Sequence, residues 1–264
     1  MNGGTAGAGP RAAAFFDLDK TVIATSSSMA LSRPFLRSGL LTRRTLLRSV
    51  YAQLRYLLVG ADHASSERMK LRLAAASTGW EVLHLDTVVD EALQAFIAPV
   101  VYLEALDLIS AHQAAGHDVV VVSASAEDIV RPIAQMLGAD HVVATRMAVA
   151  DGRYTGGIDY YAYGPAKAAA VHRMAREHGY ATEASYAYSD SHTDLPMLEA
   201  VGHPVAVNPD RALRRAAVGR GWQVRDFRRP VRLHPGVPRV ALVGVGAVLG
   251  AAGVTALARH RSRR

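Results

Sequence analysis

Three short apolar runs in this 264-residue chain each end on oxygen-bearing side chains of the kind that phosphate and divalent cations need. The first, AAAFF (12–16), runs into Asp17-Leu18-Asp19-Lys20-Thr21. Carboxylates at i and i+2 leave a strand end on the same side, so one can attack while the other handles a proton. Alone, Asp17 suits a helix N-cap or a turn as well. The second, DVVVVS (118–123), ends at Ser123, ahead of Ala124-Ser125 and a helical pattern. A hydroxyl beside a helix N-terminus suits a phosphate oxygen, or simply an N-cap. The third, SYAYS (185–189), opens Ser189-Asp190-Ser191-His192-Thr193-Asp194. Paired acids after a strand make a hard-oxygen site suited to Mg2+, with N-caps as the alternative, and His192 reads as a loop residue. Lys167 is one of three lysines and begins a helix after Gly164-Pro165. A compact ammonium there can neutralise a phosphoryl group and a neighbouring aspartate, or serve as an ordinary surface charge.

These groups converge only if the runs lie side by side as parallel strands. A fourth run, PVAV (204–207), and intervening helical patterns predict a doubly wound, Rossmann-like α/β sheet. Leu103, Leu106 and Ile109 are expected on one helix face, closed by Gly116. Ser125 is expected to cap a helix carrying Ile129, Ile133 and Leu137 that ends near Gly138. Residues 165–178 and 194–201 are further helices, and 146–161 reads as a hairpin around Asp151-Gly152. Residues 25–97 are too long for one crossover and hold helical stretches at 43–60 and 65–77. They predict a helical insertion over the sheet's carboxyl edge. From Lys20 to Ala61 there are seven basic residues and no acid, which is either a solvated face or one turned to an anionic substrate or surface.

Composition removes other chemistries. With no cysteine there is no disulfide, thiolate nucleophile or cysteine-ligated metal. The formal charge of +7 belongs to the tail: eight of the thirty basic residues follow Asp226, leaving twenty-two against twenty-three acids before it. With only 6% aromatic residues, nucleic acid is excluded as a partner. The nineteen uncharged residues 240–258 would span about 28 Å as a helix, close to a bilayer's hydrocarbon thickness. Arg239 precedes them and four arginines follow, the pattern of a membrane helix; the alternative is a buried or interfacial helix. Gly246 and Gly250 form a GxxxG that suits a homodimer. The Gly- and Ala-rich start has no apolar signal core, so the bulk of the chain is expected in the cytoplasm, anchored to the membrane by the C-terminal helix.

Taken together, Asp17-x-Asp19-x-Thr21, Ser123, Lys167 and SDSHTD (189–194) resemble, in order, the four motifs of the haloacid dehalogenase superfamily. With a helical insertion between the first two, like a type C1 cap, they resemble its subfamily IB, the phosphoserine phosphatase-like hydrolases. The resemblance implies a flexible start (1–11), a core from 12–24 and 98–226, a cap at 25–97, a basic linker (227–239), the apolar helix (240–258) and a basic tail (259–264). It implies Asp17 as nucleophile and Asp19 as acid and base. It implies Mg2+ held by Asp17, Asp190 and the Asp19 main-chain carbonyl. Thr21, Ser123, Ala124 and Lys167 would bind phosphate, and Asp194 would support the metal site and orient Lys167. The sequence departs from the phosphoserine enzymes in two places. Thr25-Ser26-Ser27-Ser28 lacks their cap glutamate, and Ala124-Ser125 stands where they carry glycines. Small soluble phosphoesters and lipid phosphates such as phosphatidylglycerophosphate are the substrate classes left open. A non-catalytic, membrane-tethered phosphate-binding regulator would be marked by a missing catalytic residue, and none is missing.

Overall fold

A computed structural model of the chain describes residues 11–42, 75 and 77–230. The chain divides into two compact units, Met1–Val231 and Arg232–Arg264, and the second lies outside the described residues. So do the 240–258 segment, its GxxxG and almost all of the helical stretches expected at 43–60 and 65–77. Among the described residues no helix is long and apolar enough to cross a membrane.

The sheet has seven strands: β1 (Ala13–Asp17), β2 (Asp118–Ala126), β3 (His141–Ala150), β4 (Arg153–Tyr160), β5 (Tyr186–Ser189), β6 (His203–Val207) and β7 (Gln223–Arg225). Their order is β4-β3-β2-β1-β5-β6-β7, with every pair parallel except β3–β4. The continuous apolar runs of β1 and β2 follow from burial on both faces. Ala14, Phe16, Val119 and Val121 point to one side, where they meet Ile109, Ile129 and Ile133 of helices α4 (Leu103–Ala114) and α5 (Glu127–Met136). Ala13, Phe15, Val120 and Val122 point to the other, against Val171, Met197 and Leu213. Those belong to α6 (Pro165–His178), α7 (Leu195–Glu199) and α8 (Arg211–Gly219). The doubly wound α/β arrangement expected from the alternation is thus the one observed.

The insertion after β1 begins with α1 (Ser27–Ala30) and α2 (Ser32–Arg37). It returns through α3 (Val82–Ala92), which loosens into a π-helical turn, Leu93–Ile97. Its two ends lie together: Ala24 N–H donates to Val100 O at 2.7 Å and Tyr102 N–H to Val22 O at 2.9 Å. The 146–161 hairpin forms, turning at Asp151 and Gly152, where φ of 49° and 72° explains the Asp-Gly pair.

Three local expectations fail. Leu103 is 41% exposed; α4 buries Ala105, Ile109 and His112 instead, because His112 turns inward to Tyr188. Ser125 does not cap α5: β2 runs on to Ala126, and that residue precedes the helix without a side-chain cap bond. The helix expected at 194–201 starts as a tight turn at His192–Asp194 and ends at Glu199.

Candidate active site

Because β1, β2 and β5 are parallel, their ends share one edge. Asp17 pairs in register with Val122, and Phe16 with Tyr188, which sets Asp17 beside Ser123 and Ser189. Lys167 reaches this edge from the first turn of α6, where Gly164 precedes the helix with φ 55° and ψ −122°, a conformation suited to glycine. The Lys167 ammonium donates to Asp17 Oδ1 at 2.6 Å and to Asp194 Oδ2 at 2.8 Å. All three side chains are at least nine-tenths buried. Ser189 Oγ donates to the same Asp194 oxygen at 2.8 Å. Thr21 Oγ1 lies 3.3 Å from Asp17 Oδ2 and 3.4 Å from Asp190 Oδ1, so Asp17 and Asp190 face one point.

Asp19 is held separately. Ser27 N–H donates to its Oδ1 at 2.8 Å, and Ser125 O–H to its Oδ2 at 3.1 Å. Ser125 reaches it because β2 breaks register with β3 between Ser123 and Ala126. Thr145 Oγ1 pins that bulge by donating to Ala124 O at 2.7 Å. Ser123 is buried, and its Oγ accepts the Ser125 N–H at 3.2 Å. The candidate site residues Asp17, Asp19, Thr21, Ser123, Ala124, Lys167, Asp190 and Asp194 therefore lie on this one edge. Reasoning from sequence missed Ser27, Ser125 as a partner of Asp19, and Asp210. The Asp210 N–H donates to Asp190 O at 2.8 Å, and its carboxylate accepts the His192 N–H at 2.9 Å. Nothing in the sequence marked Asp210; the departures at Thr25-Ser26-Ser27-Ser28 and Ala124-Ser125 pointed near Ser27 and the bulge without giving either its contact with Asp19.

The electrostatics are lopsided. Burial pushes the Asp17 carboxyl well above its ordinary range against the pull of Lys167, and Asp194 and Asp190 push it further. Burial likewise raises Asp19, despite the hydrogen bonds from Ser27 and Ser125. It lifts Asp190 to about 7. Lys167 is raised as well: its burial would lower it, but Asp17 and Asp194 outweigh that. Two carboxylates thus share one buried lysine, with Asp190 facing Asp17 across Thr21, and that excess of negative charge on hard oxygens fits a bound Mg2+. Among the described residues no three His, Cys, Asp or Glu side chains group as metal ligands; Asp17 and Asp190 are the two carboxylates that face one point, beside Thr21 Oγ1.

A doubly wound sheet with a buried carboxyl group at the end of its central strand and a buried lysine beside it is the arrangement that comparison with known proteins can now place. Residues 14–199 match the family described as haloacid dehalogenase-like hydrolase, and the chain belongs to that family, among its phosphoserine phosphatase-like members. It is 53% identical to the inhibition of morphological differentiation protein of Streptomyces azureus, over 97% of this chain and 95% of that one. It is 54% identical to a probable phosphatase of Mycobacterium tuberculosis, over 97% and 88%. Among solved structures, a Bordetella pertussis Tohama I protein of unknown function superposes with a TM-score of 0.70 at 33% identity, over 82% of this chain and 98% of that one. A phospho-aspartyl intermediate analogue of phosphoserine phosphatase shares the fold at a TM-score of 0.60 and 18% identity, over 83% and 94%.

Proposed function

We propose that this phosphatase is a Mg2+-dependent phosphomonoester hydrolase that works through an aspartyl-phosphate on Asp17. The observation that carries the reading is the buried Asp17–Lys167–Asp194 line, with Asp19 held two residues beyond the nucleophile. A carboxylate oxygen of Asp17 attacks phosphorus, and the bond from phosphorus to the ester oxygen breaks. Asp19, protonated at that moment, gives its proton to the departing oxygen. Water then loses a proton to the Asp19 carboxylate and attacks the same phosphorus. The bond to Asp17 breaks, phosphate leaves and the carboxylate is restored. The upward push of burial on Asp19 favours the protonated form that the first step needs. Lys167, Ser123, Thr21 and the Ala124 N–H bind the phosphoryl oxygens, and Asp194 orients the lysine. Asp17, Asp190 and the Asp19 carbonyl would hold Mg2+, which supplies charge neutralisation for the phosphoryl group when bound. Purified protein should hydrolyse p-nitrophenyl phosphate with Mg2+, and should lose that activity on adding EDTA or on Asp17→Asn. Turnover that survives both overturns the proposal.

One observation favours a membrane-borne lipid phosphate over a soluble phosphoester as substrate. Leu103 N–H donates to Arg229 O at 2.8 Å, and Pro230 pairs with Tyr102 beside the ends of the insertion. The described residues thus end at Pro230 on the edge that carries Asp17, ten positions before the uncharged stretch that opens at Val240. On this reading the apolar segment anchors the catalytic unit at the cytoplasmic face of the cell membrane. Full-length protein should then hydrolyse phosphatidylglycerophosphate in vesicles faster than a chain ending at Val231 does. Equal rates for the two overturn the lipid reading and leave soluble phosphoesters.

A further inference from the structure

We infer that Ser125, backed by Ser27, is a positioning residue for Asp19 that matters most when the phosphoenzyme is hydrolysed. The inference rests on the acid and base role proposed for Asp19. The three residues form a closed ring. Ser27 O–H lies 3.0 Å from Ser125 Oγ, Ser125 O–H donates to Asp19 Oδ2, and Ser27 N–H donates to Asp19 Oδ1. With the Ser125 proton committed to the carboxylate, the Ser27 hydroxyl is the donor of the first contact. The ring ties three elements: the loop after β1, the bulge of β2 and the first residue of α1, where the insertion begins. Ser27 is fully buried, and its hydroxyl has Ser125 as partner, so the ring is a built feature and not a chance surface contact.

Donors on both oxygens fix the plane of the Asp19 carboxylate, and with it the direction from which it meets the water of the second step. In the first step Asp19 gives up a proton, and p-nitrophenolate, which departs as an anion, does not require it. The two steps are therefore unequally sensitive to the ring. A residue that served only folding would lower the fraction of competent enzyme, and so the amplitude of acyl-phosphate, and one that held the whole site in shape would slow both steps alike.

The test is rapid-quench measurement of acyl-phosphate formation and decay on the full chain with Mg2+ and p-nitrophenyl phosphate. Ser125→Ala should slow decay about tenfold, a share of what acid–base catalysis supplies, and leave formation within about twofold of wild type. Ser125→Thr, which keeps the hydroxyl, should restore most of the decay rate. Ser27→Ala, which keeps the N–H donor, should act in the same direction with a smaller effect and serves if Ser125→Ala does not fold. Unchanged decay, or formation and decay slowed by the same factor, overturns the inference. Wild type run alongside keeps the two claims apart. Turnover without any acyl-phosphate in wild type overturns the hydrolase mechanism, whereas a normal wild-type intermediate with evenly slowed variants overturns only the role of Ser125.

Discussion

Two charged clusters sit at opposite ends of the same parallel strands, and they are built differently. At the carboxyl ends, Lys167 lies between Asp17 and Asp194 with its side chain 3% exposed. At the amino ends, Arg11 pairs with Asp118 at 2.8 Å while its own side chain stays 54% exposed. Tyr180 O–H also donates to Asp118, and His141 lies 3.5 Å away. Despite some burial, the bonds from Tyr180 and Arg11 hold Asp118 below the ordinary carboxylate range. The first cluster has more acid than base and no solvent to relieve it; the second is balanced and wet. Desolvating an ion pair costs about as much as the pairing returns, so burial of the first cluster is hard to explain as stabilisation. The proposed mechanism accounts for it, because a buried ammonium would act on a phosphoryl group without screening.

The contrast can be broken from either end. The largest effect is expected from Asp17→Asn, which should cut turnover by about 10^4-fold or more in steady-state assays while near-native circular dichroism is kept. Lys167→Met comes next. Turnover should fall by about 10^2–10^3-fold, and loss of the central cation should destabilise the fold by about 3–5 kcal/mol in denaturant unfolding, since two buried carboxylates lose their partner.

The opposite end carries a pH response of its own. His112 is buried, with Nε2 at 2.8 Å from Tyr188 O–H and Nδ1 at 3.0 Å from His117 Nδ1. Burial lowers it from 6.5 to about 4, with the charges of His117 and Arg225 adding to the effect. The unfolded chain takes up this proton first, so stability should be constant with respect to this group above pH 6.5. It should then fall as pH drops towards 4, by up to about 3 kcal/mol. His112→Gln should flatten that part of a stability–pH curve. The smallest effect is expected from Arg11→Met, with little change in melting temperature and unaltered turnover, since the side chain is exposed and far from the catalytic edge. A large loss of activity there would erase the distinction between the two ends.

The catalytic edge was legible because buried parallel strands write themselves as apolar runs, and the first polar residue after each run faces the edge. That rule located Asp17, Ser123 and Ser189-Asp190. It could not find β3, whose short HVVAT run merges with the hairpin that follows. Nor could it find α8, an arginine-rich helix that buries only Leu213 and Ala217. The inward turn of His112 depends on Tyr188, seventy-six positions away. The role of Ser125 depends on a bulge pinned by Thr145, so a serine that reads as a helix cap became a partner of Asp19. Such contacts are set by register between strands, and register is not written in local spacing.

The most direct measurement is acid quenching of the enzyme during turnover with Mg2+ and p-nitrophenyl phosphate, followed by mass analysis of the peptide that spans β1. The account predicts one phosphoryl group on Asp17, absent from Asp17→Asn. Phosphate carried by another residue, or steady turnover with no phosphorylated peptide at any time, would contradict it.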